Sequence, residues 1–108
     1  MGIRLEKPWL ALDTTPQLPG QLGVYQLGDA AGLVLFIGYA GGRSLFGLRG
    51  EVADAGEQTP DATCYRVEIT TAYLTRYQEL LMLHRADHGE LPAHSDPMPG
   101  LGRLSPVG

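Results

Sequence analysis

Gly23-Val24-Tyr25-Gln26-Leu27-Gly28-Asp29-Ala30-Ala31-Gly32-Leu33-Val34-Leu35-Phe36-Ile37-Gly38-Tyr39-Ala40-Gly41-Gly42-Arg43 is the stretch whose reading decides the fold. From Leu22 to Leu27 apolar and polar residues alternate around Val24 and Tyr25, which predicts a strand. Gly28 to Gly32 carries turn residues. Leu33 to Ile37 is an unbroken apolar run, the pattern of a strand covered on both faces. The two make a β-hairpin that sets Tyr25 beside the aromatic Phe36. Gly38 to Gly42 then reads as a loop with three glycines in five residues, able to bring backbone close to a ligand. Tyr39 lies in that loop and Arg43 just beyond it.

Working outward, Ser44 is placed to cap a helix to about Ala55, with Leu45, Leu48 and Val52 on one face. Gly47 and Gly50 weaken it, by about 1 kcal/mol each relative to Ala. Gly56 to Ala62 is a polar loop, and Thr63 to Thr70 alternates as a third strand. Residues 73–88 carry the strongest helical pattern, with Tyr73, Tyr77, Leu80, Leu81 and His84 on one face, Thr70 or Thr71 as cap and Gly89 as stop. The order strand, strand, helix, strand, helix predicts an α+β domain, a small three-stranded antiparallel sheet with helices packed on it. Residues 1–17 hold Pro8 and Pro16 and read as an extended lead-in with Trp9, Leu10 and Leu12 against the core. Residues 97–108 read as an irregular tail.

Composition narrows the function classes. A chain of 108 residues supports one modest core. No apolar run has the length of a membrane span, so no membrane role is expected. Cys64 is the single cysteine, which excludes an internal disulfide and, with no visible secretory leader, leads to the expectation of a reducing cytoplasm. The net charge of −4 argues against a broad nucleic-acid-binding surface. Seven of the eight basic residues are Arg, however, and Arg suits local, bidentate anion contacts.

Over residues 18–96 the ordered set resembles the GIY-YIG nuclease domain. Gly23-Val24-Tyr25 is similar to the first triplet of that family and Phe36-Ile37-Gly38 to the second. An Arg follows, and Glu79 stands on the later helix within Tyr77-Gln78-Glu79-Leu80-Leu81. The resemblance implies metal-dependent phosphodiester cleavage of nucleic acid. One Mg²⁺ would be held by Glu79, Tyr25 would help to activate water, and Arg43 or Arg49 would clamp the phosphate. Phe36 replaces the family's second Tyr, with Tyr39 three residues on as a possible substitute. The family's terminal Asn is missing, and His94, Ser95 or Asp96 stands near its place.

Each of these residues also has an ordinary reading. Tyr25 packs its ring in a strand, Glu79 is a solvated helix residue, and Arg43 and Arg49 pair at the surface with Glu51 or Asp54. His84 and His88 stand four apart, but without an HExxH pattern a zinc site is not expected. Two functions are therefore weighed. One is a small Mg²⁺-dependent nuclease, which needs Tyr25, an Arg and Glu79 in one hollow. The other is a catalytically inactive scaffold that binds a protein partner or serves assembly, in which those residues are packed or paired.

Overall fold

The computed structural model describes residues 4–94. Ser95, Asp96 and the tail at 97–108 lie outside the described residues. The elements are β1 (Leu10–Ala11), a 3-10 turn (Leu12–Gln17), β2 (Gly23–Gly28), β3 (Val34–Ala40), α1 (Gly47–Gln58), β4 (Cys64–Ile69) and α2 (Tyr73–His88). The strands form one antiparallel sheet in the order β1-β4-β2-β3. The α+β architecture is that of the sequence reading, with a fourth, two-residue strand at one edge.

The hairpin is held at its turn by Asp29. Its Oδ1 accepts the N–H groups of Ala31 and Leu33, both at 2.9 Å, and Gly32 adopts φ +85°. Beyond the turn β3 runs further than its apolar pattern indicated, to Ala40, so Gly38 and Tyr39 are strand residues and not loop. Gly38 is there for contact. It faces Tyr25 across the ladder, and a Cβ at 38 would overlap the Tyr25 ring and stand 2.8 Å from Phe36 Cε2.

Alternation along β2 divides the core in two. Val24 and Ile37 face α2 and pack with Tyr77, Leu80, Leu81 and the N-terminal Leu5. Tyr25, Leu27 and Ala40 face α1 and pack with Leu48, Val52, Leu18 and Tyr65. The helices thus cover opposite faces of the sheet, and β2, paired on both sides, is buried along its whole length.

The helix ends differ in how well the sequence announced them. α2 spans the residues expected and stops at Gly89, whose φ of +82° lets its N–H reach the Arg85 carbonyl. Its N-terminal cap position is held by Ala72 and not by Thr70 or Thr71; Thr70 Oγ1 accepts the Ala72 N–H at 3.1 Å in the turn that precedes the helix. α1 begins two residues later than the Ser44 cap suggested, with Phe46 in the cap position. Gly47 has φ +60°, and a Cβ there would lie 2.7 Å from the Gln21 nitrogen, so the chain turns into the helix only at this glycine.

The stretch read as a lead-in is part of the fold. Leu10 and Ala11 pair with Tyr65 and Cys64, Leu12 packs on the α1-side core, and Trp9 lies against Gly28 with the Arg66 guanidinium 4.2 Å from its ring centre. Cys64 is half-buried in β4, its Sγ 3.6 Å from the Asp29 carbonyl.

Candidate functional site

Because β3 is an edge strand, the helices on either face leave a hollow along it. Its wall combines Tyr25, Phe36, Tyr39 and Arg43 with Ser44 and Glu51 from the α1 side, and Tyr73 and Tyr77 from α2, around about 440 Å³. A neighbouring hollow of about 420 Å³ shares Tyr25, Phe36 and Glu51 and adds His94. The His94 N–H donates to the Leu35 carbonyl at 2.9 Å, which holds the segment after α2 against the β3 edge.

The wall is largely aromatic. Tyr25 and Phe36 have ring centres 5.9 Å apart; Tyr39 stacks on Tyr73 at 5.7 Å and meets Tyr77 at 4.9 Å. The Tyr73 hydroxyl accepts the Gly42 N–H at 3.2 Å, tying the glycine loop to α2. On the other side, Ser44 Oγ accepts the Gly41 N–H and donates to Glu51 at 2.7 Å. Ser44 is therefore a latch between loop and helix, not a helix cap. Arg43 projects from the latched loop, exposed, and makes no ion pair among the described residues.

Two of the residues singled out from the sequence lie elsewhere. Arg49 is exposed near Gly20, off the wall of either hollow. Glu79 is on the flank of α2 that faces β4. Two residues turn a helix by about 200°, so with Tyr77 at the hollow Glu79 must point away from it. There Arg76 takes up its carboxylate: Nη1 donates to Glu79 Oε1, while Nε and Nη2 clasp Glu68 on β4, each at 3.0 Å. Burial works against the Arg76 charge, and the hydrogen bonds of Glu68 and Glu79 outweigh it, raising the guanidinium above its ordinary value.

Mg²⁺ does not fit that donor set. A guanidinium already sits between the Glu68 and Glu79 carboxylates, where a divalent cation would need open oxygen ligands. Among the described residues no three His, Cys, Asp or Glu side chains gather as metal ligands. No step through a metal follows from this geometry.

The sequence reading missed Glu51, Ser44, Tyr73 and Tyr77. The two tyrosines look like core residues because they lie on the apolar stripe of α2. Only the position of α2 over the sheet edge turns them into cavity wall.

Residues 3–87 match the model of a family described as a domain of unknown function, DUF7508. The chain belongs to that family. No curated protein and no solved structure matches it. The DUF7508 match ends within α2 and so spans all four strands and the residues of the larger hollow. Among the described residues no helix is long and apolar enough to cross a membrane.

Proposed function

We propose that this chain is a GIY-YIG-like domain that binds a nucleotide unit of nucleic acid in the β3-edge hollow and does not cleave it. The observation that carries the reading is the separation of the two groups cleavage would need. Tyr25 lies under α1 on one sheet face, while Glu79 sits beyond the other face in an ion pair with Arg76 and Glu68. What remains at the hollow suits recognition. Aromatic rings offer stacking surface, and Arg43 offers a bidentate donor to a phosphate. One Arg at the hollow of a chain of net charge −4 matches contact with a single nucleotide better than tracking along a duplex.

Fluorescence anisotropy with short single-stranded DNA and RNA at low salt tests this. Binding is expected, with a shallow salt dependence of about one phosphate contact, a log–log slope near −0.7. Arg43→Ala should weaken it about tenfold. Labelled strands should stay intact with Mg²⁺ or Mn²⁺. Metal-dependent cutting that disappears in Glu79→Ala would overturn the reading, as would no binding to either strand type.

A second reading, docking of a protein partner, is favoured by the loop beside the hollow, where Leu45 is 89% and Phe46 62% exposed. Leu45→Ser with Phe46→Ser separates the two. It leaves nucleotide binding intact under the first reading and abolishes partner capture under the second.

A further inference from the structure

We infer that the hollow selects a guanine base, with Glu51 as the specificity-determining carboxylate; the inference rests on the nucleotide-binding reading above. Among the described residues Glu51 is the one carboxylate on the wall of the larger hollow, and Arg43 is its one cation. The two form no ion pair with each other. A ligand seated there must therefore present an anion to Arg43 and hydrogen-bond donors to Glu51.

Glu51 is oriented for that task. Ser44 Oγ donates to its Oε2 at 2.7 Å and is itself held by the Gly41 N–H at 3.1 Å. The carboxylate is thus fixed to the loop that carries Arg43. An ionised carboxylate has about four lone-pair sites, and Ser44 occupies one.

The edges of the bases decide what such a carboxylate can read. Guanine places two donors side by side, N1–H and the N2 amine, matching the two oxygens. Adenine and cytosine set a ring-nitrogen acceptor beside their amine, and uracil and thymine flank one N–H with two carbonyls. Each of these brings a lone pair against the carboxylate, a repulsive contact that discriminates as strongly as the attractive one. Tyr73 and Phe36 on the wall supply ring faces for the base, and Arg43 takes the phosphate.

Calorimetric titration with guanosine, inosine, adenosine and cytidine monophosphates tests this. Guanosine monophosphate is expected to bind tightest. The inosine form, which lacks only the N2 amine, should bind about tenfold more weakly, the worth of one charge-assisted hydrogen bond. Glu51→Gln keeps an oxygen for Ser44 but turns an amide NH₂ towards the base. It should weaken guanosine monophosphate and strengthen the adenosine form, whose ring nitrogen then meets a donor instead of a lone pair, with the far-ultraviolet circular dichroism of the wild type. Arg43→Ala should weaken all of them alike. Equal affinity of all four for the wild type, still lost in Arg43→Ala, overturns the guanine inference and leaves nucleotide binding standing. Binding of none overturns nucleotide binding itself. Should Glu51→Gln fail to fold, the wild-type order of guanosine over inosine decides the matter alone.

Discussion

Gly38 and His84 are the two residues where a single atom decides most. The Tyr25 ring lies where any side chain at 38 would begin, so Gly38→Ala must displace both Tyr25 and Phe36. Overpacking of this kind costs about 1–3 kcal/mol, read as a lower urea midpoint at unchanged slope. In the sequence Gly38 is indistinguishable from the loop glycines after it. What separates them is the ring across the ladder, a tertiary fact. His84 is 9% exposed; its Nδ1 lies 3.0 Å from the Glu90 carbonyl, and its Nε2 is buried without a hydrogen-bond partner among the described residues. Burial lowers its pKa below the ordinary value, the Glu90 carbonyl pulls the other way, and the neighbouring His88 ring, 4.3 Å off, adds to the lowering. Well above about pH 6.5 the ring is neutral in both folded and unfolded chains and its burial adds no pH dependence. As pH falls through that value, the unfolded chain takes the proton first, so stability declines until the folded pKa is passed. Thermal melts at about pH 7.5 and 5.5 should show this loss in the wild type and a smaller one in His84→Leu.

The elements were legible in proportion to their local signals. β4 and α2 announce themselves through clean alternation, an unbroken apolar stripe and a terminal glycine. β1 does not, because two residues carry no period; it exists through its pairing with Tyr65 and Cys64. α1 was displaced by two residues because Ser44 has the look of a cap, while its hydroxyl serves Glu51 on the next turns. Glu79 was read from its place in a motif; which flank of α2 it occupies follows from docking that no local pattern encodes. Gly47 and Gly89 offer a matched test of the helix ends. Both have positive φ, but a Cβ at 47 meets the Gly20 and Gln21 backbone, whereas at 89 nothing lies within 4 Å. Gly89→Ala should therefore cost only the left-handed penalty of about 1–2 kcal/mol. Gly47→Ala should cost visibly more in the same denaturation assay, since backbone must move as well.

For the whole molecule the decisive fact is one sheet shared by two half-cores. Leu48 on the α1 side and Leu81 on the α2 side are each fully buried. Either one replaced by Ala should cost about 2–5 kcal/mol. Neither change should melt one layer alone, because β2 contributes alternate side chains to both. Trp9 emission and far-ultraviolet ellipticity should follow the same midpoint in both variants, as a single cooperative transition requires. The hollow at the β3 edge inherits this arrangement. It draws Glu51 from one layer and Tyr73 and Tyr77 from the other, so its shape depends on both layers keeping their places.

Strand β2 also sets a clock. Its amides are enclosed by ladders on both sides and by a helix above and below, so solvent deuterium can reach them only when the entire chain opens. Val24 to Leu27 should be the last protons to fade from a spectrum recorded in heavy water, at a rate matching global unfolding, while the two residues of β1 exchange early from their exposed margin.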